Sequence, residues 1–303
     1  MKQFFFLALK YTATFFEACS PFFVSIKLRQ KIIKSGSIDV FYQHTDVAII
    51  VQGPIVSDNS FTYETLKLYR VKYPKIKIIF STWVGQNREA IELIKKLNIN
   101  VIESEIPAVK GNLNINLQLV STISGLYEAN GDKKIKYILK TRSDQRIYYR
   151  CDFLNFFKEK ILHSLSDVEG LKAKLLICNL NTYRDRLYGV SDMFMFGFKE
   201  DMNLYWNIPL EEKNVSNSSA TLSFDKFICA SVGEGYLVNN FFRSVNFIPE
   251  WTIRDSDFFF EKYFVIVSKE QIDIFWNKYQ KHLEDKHLSA VLDSDKYLLR
   301  CSY

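Results

Sequence analysis

The first candidate for chemistry is a carboxylate flanked by guanidinium groups at the end of an apolar run. The stretch KYILKTRSDQRIYYR, residues 136–150, contains Arg142, Asp144 and Arg146. A carboxylate can hold a divalent cation, which neutralises a diphosphate as it leaves. A guanidinium fork matches phosphate oxygens directly. The pattern therefore predicts contact with a phosphorylated ligand, and the alternative is an Asp–Arg pair that only ties a strand end to a loop.

Polar residues also close two earlier apolar runs. Gln52, Gly53 and Pro54 end the first run, and Ser81 with Thr82 ends the second. Glycine allows a ligand to approach the backbone closely, while the amide and the hydroxyls supply hydrogen-bonding groups. Any one of these endings is a weak signal, so their value depends on whether the fold brings them together.

The elements that must position these residues alternate in kind. Apolar runs bounded by turn residues predict buried strands, and apolar residues at helical spacing predict helices between them. Residues 46–144 are thereby predicted to form four strands separated by three helices, which indicates a parallel sheet with helices on both faces. Ligands bind outside the carboxyl ends of the strands in such sheets. The three polar strand ends are therefore expected to converge on one crevice.

Beyond residue 150 the alternation is looser. Two further apolar runs, LKAKLLICNLNTY and VSDMFMFGF, predict strands, and residues 270–290 predict a charged amphipathic helix. The prediction is a single α/β domain over residues 41–303, with a donor half at 46–150 and an acceptor half at 151–303. Residues 1–40 form a separate basic, aromatic segment.

Charge and cysteine content limit the possible partners and compartment. The chain has 303 residues and a net charge of +6; residues 1–36 hold six basic residues against Glu17, a net of +5, which leaves +1 for the rest. A nearly neutral body argues against nucleic acid as the partner. The five cysteines form no CxxC pair, which predicts reduced thiols in a cytoplasmic compartment.

The N-terminal segment has two interpretations. Lys10, Glu17 and Pro21 interrupt it, so no apolar run is long enough for a transmembrane helix. A basic segment rich in phenylalanine can lie on an anionic membrane surface. It can equally form a helix that packs on the domain with its lysines outward, and both interpretations are kept.

Several catalytic classes lack their motifs. No GxGxxG follows the first predicted strand, and GxxxxGK[ST] is absent, which excludes the usual dinucleotide and P-loop sites. GxSxG and HExxH are absent as well.

Seven motifs, in this order along the chain, resemble the WavE lipopolysaccharide-synthesis family. They are VQGP (51–54), STW (81–83), Asn116 and Gln118 with STISGL (121–126), KTRSD (140–144), SDMFMFG (191–197), GEGYL (233–237) and YFVIVSKEQIDIFWNKY (263–279). The resemblance covers roughly residues 46–280 and leaves residues 1–40 outside. It implies a glycosyltransferase with a GT-A-like, Rossmann-type, mostly parallel sheet that binds a nucleotide sugar.

The resemblance also implies roles for the residues at the strand ends. GT-A enzymes usually carry Asp-x-Asp at this strand end to hold Mn or Mg and the donor diphosphate. Here Arg142-Ser143-Asp144 lacks the first Asp, so a metal at Asp144 and partial replacement of its charge by Arg142 are both open. The implied nucleotide-sugar-binding residues are Gln52, Gly53, Pro54, Ser81, Thr82, Gln118, Arg142, Ser143 and Arg146.

Sugar transfer with inversion also needs a carboxylate that takes the proton of the acceptor hydroxyl. The candidates are Asp192 in SDMFMFG and Glu234 in GEGYL, with Asp255 and Asp257 as weaker alternatives. Asp192 can instead be a residue that caps a strand start, and Glu234 can be an exposed turn residue.

The sequence thus predicts transfer of a sugar, with a UDP-sugar favoured as donor, to a lipid-linked acceptor. The acceptor would be a lipopolysaccharide, O-antigen or capsule glycan at the cytoplasmic face of the bacterial inner membrane. The alternatives are a sugar nucleotidyl- or phosphotransferase, and a non-catalytic assembly protein of the glycan machinery.

Overall fold

A computed structural model describes residues 2–19, 29–34, 36, 38–182, 186–212 and 233–277 of the chain. The chain divides into two compact units, Met1–Ile32 and Ile33–Tyr303.

The first unit contains helix α1, Lys2–Cys19. Its exposed apolar side chains follow one another at intervals of four residues: Leu7 is 51% exposed, and Tyr11 and Phe15 are each 67% exposed. Side chains at this spacing share one face of a helix. None of the helices in the described residues combines the length and apolar character that crossing a membrane requires.

The second unit is built on a seven-stranded sheet. Its strands in chain order are β1 (Val47–Gln52), β2 (Lys77–Trp83), β3 (Asn100–Ser104), β4 (Tyr137–Arg142), β6 (Leu175–Cys178), β7 (Met195–Phe198) and β8 (Phe264–Val267). They lie in the order β3-β2-β1-β4-β7-β6-β8. Only β7 among them runs antiparallel to its neighbours. The predicted α/β, mostly parallel sheet is confirmed.

Alternate residues of the interior strand β1 contribute to two cores, one on each face of the sheet. Val47, Ile49 and Val51 pack with apolar residues of α2 (Phe61–Lys72), α3 (Arg88–Lys95) and α5 (Phe153–Leu162). Ala48 and Ile50 pack with α4 (Ile115–Asn130), α6 (Lys199–Trp206), α7 (Gly233–Ser244) and α8 (Ile253–Tyr263). Because successive strand residues point to opposite faces, each face of the sheet carries its own helical layer.

Helix α4 approaches the sheet closely enough to matter for the site. A Cβ at Gly125 would lie 2.5 Å from Cγ2 of Ile50, so this position admits only glycine without displacement. At the other end of the helix, Asn116 donates to the carbonyl of Glu211 (2.8 Å) and accepts from its N–H (2.8 Å). These contacts join α4 to β1 at one end and to the segment that contains Glu211 at the other.

A small second sheet brings the far end of the chain to the same edge. Strand β5 (Gln145–Ile147) pairs antiparallel with β9 (Ile274–Trp276), which follows the short helix α9 (Lys269–Ile272). The predicted continuous helix over 270–290 is wrong at β9, where Asp273 adopts a left-handed conformation that ends α9. Residues 278–290 of that prediction lie outside the described residues.

Candidate functional site

The three polar strand ends lie side by side. In the sheet register Gln52 is level with Ser81 of β2 and with Arg142 of β4. The backbone continues these pairings one residue further: Gly53 N–H donates to the carbonyl of Ser81 (3.0 Å), and Ser143 N–H donates to that of Gln52 (2.8 Å). The sequence expectation that these ends converge is met by the geometry, although their roles as ligand-binding residues remain predictions.

Gly53 sits where no other residue fits. Its φ is +122°, and a Cβ there would lie 2.6 Å from the hydroxyl oxygen of Ser143. Ser143 itself is buried, and Pro54, the next residue after Gly53, is exposed. The absence of a side chain at Gly53 therefore lets the ends of β1 and β4 approach each other.

Asp144 is held by two partners from different parts of the fold. Its carboxylate receives a two-pronged contact from Arg142, with Nε at 2.9 Å and Nη2 at 3.0 Å, and a third hydrogen bond from Nε1 of Trp276 at 2.9 Å. Burial acts to raise the pKa of Asp144, but the hydrogen bonds and charge of Arg142, together with Trp276, bring the pKa below its usual value. The ionised form of Asp144 is thus stabilised by the protein itself.

This arrangement does not fit a protein-built metal centre. The Asp144 oxygens already accept three hydrogen bonds, all from donors that favour an anion without a metal. Within the described ranges, no three or more His, Cys, Asp or Glu residues are grouped so that they could hold a metal ion. The divalent cation therefore remains a prediction from the sequence.

Arg146 does not lie where the sequence interpretation needs it. Its side chain is fully buried. It donates to the hydroxyl of Thr65 (2.8 Å), the carbonyl of Phe61 (2.9 Å) and the hydroxyl of Tyr148 (2.9 Å). The guanidinium also packs 4.3 Å from the centre of the Phe61 ring. Arg146 joins α2 to β5 and presents no exposed surface to a phosphate, whereas Arg142 is partly exposed and its phosphate role remains a prediction.

Ser81 and Thr82 point to different sides of the sheet. Ser81 points to the same face as Ile79, which belongs to the core under α4. Thr82 points to the same face as Phe80, which belongs to the opposite core. Both hydroxyls are buried and have no hydrogen-bond partner among the described residues. Buried hydroxyls are normally satisfied, so Ser81, on the α4 side, is the better placed of the two to bond a bound group.

The α4 side of the crevice carries a buried polar network. Ser121 of α4 donates to Oε1 of Gln52 (2.8 Å). Three residues earlier on the helix, Nε2 of Gln118 donates to Oδ2 of Asp192. Nζ of Lys140, on β4, donates to the carbonyl of Asp192 and lies 3.5 Å from Oε1 of Gln118. Gln52, Gln118 and Asp192, predicted separately from distant motifs, are thus brought to one side of the sheet.

Lys140 and Trp276 are the site residues that sequence reasoning missed. Lys140 appears there only as part of the KTRSD motif, yet a lysine inside an apolar strand is itself a signal of a special environment. Trp276 gave no such signal, because its role depends on the pairing of β9 with β5.

Glu234 and Asp255, two other candidates for the catalytic base, lie at the starts of helices. Glu234 is the second residue of α7, so GEGYL begins a helix rather than forming a turn; the side chain of Glu234 lies outside the described part. Asp255 accepts from the hydroxyl of Tyr188 and from the N–H of Glu250, which gives it a structural role at the start of α8.

A surface cavity of about 430 Å³ lies elsewhere, lined by residues that include Asp167, Phe247 and Tyr263. Tyr263 directly precedes β8, and Asp167 lies before β6, which runs parallel to β8. Both strands run parallel to β4, so this cavity is at the amino edge of the sheet and separate from the polar strand ends.

Solved structures similar to this chain include two sugar-transferring or sugar-polymer enzymes. Xyloside xylosyltransferase 1 from mouse, in its apo form, is 9% identical with a TM-score of 0.39, over 85% of this chain and 94% of that chain. Core-mannan synthase A from Aspergillus fumigatus, in a Mn/GDP form, is 9% identical with a TM-score of 0.33, over 82% of this chain and 80% of that one.

A third similar structure belongs to a different class of enzyme. It is 4-diphosphocytidyl-2C-methyl-D-erythritol synthase from Anaerococcus prevotii, 13% identical with a TM-score of 0.36, over 78% of this chain and 98% of that chain. No curated protein matches the sequence.

A family model settles the relationship more directly. The model described as WavE lipopolysaccharide synthesis matches residues 47–242, well over half of the chain. The matched region spans β1 to α7 and includes the three polar strand ends, Gln118, Lys140 and Asp192. This chain therefore belongs to the WavE lipopolysaccharide synthesis family.

Proposed function

We propose that the chain is a glycosyltransferase that moves a sugar from a nucleotide sugar to a lipid-linked glycan acceptor. The observation that carries the proposal is the meeting of Gln52, Ser81 and Arg142 in register at one sheet edge, beside Asp192. Carboxyl ends of parallel strands are where nucleotides bind in such sheets. Membership of a lipopolysaccharide-synthesis family supports a glycan acceptor of the lipopolysaccharide, O-antigen or capsule kind.

In this proposal each strand end has one task. The backbone of Gly53 and the amide of Gln52 contact the nucleoside, for which a UDP-sugar is favoured. Arg142, oriented by Asp144, contacts the diphosphate, since a guanidinium fork matches phosphate oxygens. Asp192 takes the proton of the acceptor hydroxyl. Asp144 is thereby a positioning residue, a different role from the metal ligand that the Asp-x-Asp resemblance implies.

The proposed organisation places the acceptor at a membrane. Residues 1–40 would dock on the inner face of the bacterial inner membrane, and residues 41–303 would carry the transferase. The exposed stripe of Leu7, Tyr11 and Phe15 on a helix that also bears Lys10 supports this proposal, because such faces bind at the lipid–water boundary.

Calorimetry with UDP, GDP and CMP, with and without manganese, tests donor binding. We expect one diphosphate to bind at micromolar affinity, and the Asp144→Asn variant to bind it about tenfold more weakly, since the amide cannot keep both guanidinium contacts. Release of the sugar only when an acceptor glycolipid is added would support transfer.

Two outcomes would contradict the proposal. Release of pyrophosphate from a nucleoside triphosphate and a sugar phosphate would indicate a nucleotidyltransferase. Absence of binding for every nucleotide would favour a non-catalytic assembly protein. The Ser124→Ala variant is the matched control, because Ser124 lies on α4 and, within the described part of the chain, its hydroxyl hydrogen-bonds only Ser104 and the carbonyl of Val120.

A further inference from the structure

Lys140 is an ionisable residue in a place where strands normally carry apolar residues. It lies in the middle of β4, level with Ile50 of β1 and Met195 of β7, and its side chain is fully buried. Burying an ammonium group is unfavourable unless the protein supplies compensating partners. An apolar residue at this position would make the strand more stable. The contacts of Lys140 are therefore the place to look for its function.

Those partners converge on Asp192. The ammonium donates to the backbone carbonyl of Asp192, lies 3.5 Å from Oε1 of Gln118, and sits 4.3 Å from the centre of the Trp206 ring. The ring face supplies further electrostatic stabilisation for a buried cation. Lys140 thus comes from β4, Gln118 from α4 and Trp206 from α6, and together they surround one short segment.

The amide of Gln118 can adopt only one orientation in this network. Its carbonyl oxygen faces the ammonium of Lys140, and its NH2 group donates to Oδ2 of Asp192. A flipped amide would direct N–H groups at an ammonium and an oxygen at a carboxylate, and both contacts would be repulsive. Lys140 therefore fixes Gln118, and Gln118 in turn fixes one oxygen of the carboxylate.

The second carboxylate oxygen of Asp192, Oδ1, is available to a ligand in the crevice. Oδ2 is bound by Gln118, whereas Oδ1 accepts no hydrogen bond from the described residues and is not among the fully enclosed polar atoms. The residue as a whole is only 5% exposed. A carboxylate that is held at one oxygen and open at the other is suited to accept a proton from a single direction.

We propose that Lys140 and Gln118 are a positioning pair for Asp192 as the base of sugar transfer, and that Gln118 is not a donor contact. This inference rests on the proposed function. In the step, Oδ1 of Asp192 takes the acceptor hydroxyl proton as the acceptor oxygen bonds to the anomeric carbon. The bond from that carbon to the diphosphate breaks, and its electron pair leaves with the diphosphate. The anomeric centre is inverted.

The test compares Gln118→Met, Gln118→Glu and Asp192→Asn in the full chain, with Ser124→Ala as control. Gln118→Met should lower kcat about 10²-fold, within the range for impaired base catalysis, while the Kd for the diphosphate stays within about twofold. The double variant Gln118→Met/Asp192→Asn should be no slower than Asp192→Asn alone, because the amide acts only through the carboxylate.

The pH profile separates positioning from a merely structural role. In Gln118→Glu two carboxylates face each other, and one proton is retained to higher pH. The acid limb of kcat/KM should therefore move up by about one pH unit or more, with activity recovering at alkaline pH. Ser124→Ala should leave the profile unchanged.

Other results would overturn the inference. A Gln118→Met variant that loses diphosphate affinity and keeps kcat at saturation would show that Gln118 binds the donor. Retention of the anomeric configuration would show that the transfer does not proceed by the inverting step in which Asp192 acts as the base. If wild-type protein binds nucleotide sugar and transfers it but the Gln118 variants match the control, the inference alone fails; if wild-type protein transfers no sugar, the proposed function fails and the inference with it.

Discussion

Lys72, at the end of α2, shows how burial alters one ionisable side chain. Its ammonium donates to the carbonyls of Tyr149 and Arg150 and lies 5.3 Å from the centre of the Phe153 ring. Burial lowers the pKa of Lys72 to about 8, and the nearby charge of Asp152 offsets only part of that shift. The folded protein therefore releases this proton at lower pH than the unfolded chain does.

The consequence for stability has a definite sign. Between pH 8 and about pH 10.4, the usual lysine value, the unfolded chain binds a proton that the folded protein has lost, so stability should rise with pH through Lys72. Urea unfolding at pH 7.5, 8.5 and 9.5 measures this. Above about pH 10, buried tyrosines whose pKa is raised, such as Tyr69, should reverse the trend.

Lys72→Arg is the control for this prediction, because arginine stays charged throughout the range. The difference between the two proteins isolates Lys72 from the cysteines, which titrate in the same interval. Parallel profiles for wild-type protein and Lys72→Arg would contradict the prediction.

At the residue scale, the sequence predicts that an arginine and a carboxylate reach the site. It does not predict which of two nearby arginines does so. Arg142 and Arg146 flank Asp144 equally in the sequence, yet Arg142 binds the carboxylate and Arg146 is enclosed by Thr65, Phe61 and Tyr148. Their fates depend on contacts with α2 and β9, which lie far away in the chain. No local pattern contains that information.

At the scale of elements, α4 is the part on which the crevice most depends. The contact of Gly125 with Ile50 sets the distance between this helix and β1. Gln118 and Ser121 lie on the same helix and reach Asp192 and Gln52. A change in the helix-to-sheet distance should therefore disturb stability and catalysis together.

Gly125→Ala tests this dependence. The added methyl would lie 2.5 Å from Cγ2 of Ile50, so we expect a loss of about 1–3 kcal/mol in the free energy of unfolding, the usual cost of overpacking. We also expect a lower kcat, because Gln118 moves with the helix. Thermal unfolding and turnover measure the two effects.

Gly131→Ala, at the residue that directly follows the same helix, is the matched control. Its Cβ would lie 3.6 Å from the carbonyl of Glu128, an ordinary contact, and its φ of −61° suits alanine. Equal effects of the two alanine substitutions would contradict the role given to the Gly125 contact.

The strands and helices of residues 46–144 could be predicted because their apolar patterns are long and bounded by clear turn residues. β9 could not: it is three residues long and stands in a charged stretch with helical spacing. It is a strand because β5 offers it a partner, and pairing between distant segments overrides local preference. The position of Trp276 at Asp144 was hidden for the same reason.

At the scale of the whole molecule, the chain combines a sheet-based unit with a short helical one. The stripe of Leu7, Tyr11 and Phe15 gives the first unit an apolar face, and Lys10 gives it a cation. Both features are those of helices that lie at the surface of anionic membranes.

The proposed membrane role predicts a defined loss. Replacing Leu7, Tyr11 and Phe15 by glutamine in the full chain should remove most binding to vesicles that contain anionic lipid, since burial of apolar side chains drives the association. Nucleotide binding should not change. Co-sedimentation with vesicles measures the first property and calorimetry the second.

Glutamine at Thr12 provides the control, because this exposed residue lies about 100° around the helix from Tyr11, the centre of the stripe, and its hydroxyl bonds the helix backbone. If the two sets of substitutions leave sedimentation equally unaffected, the helix would not be the membrane contact.

The reversed direction of β7 has a further consequence. Because β7 runs against β4, the segment that carries Asp192 enters the sheet at the edge where β4 leaves it, and Lys140 stands opposite Met195. The pairing of these two strands fixes the separation of Lys140 and Asp192, whatever the length of chain between them. The exposed turn at Glu169 and Gly170, in the connection between α5 and β6, could therefore be lengthened without altering that separation, which makes this turn a suitable place to graft new surface features.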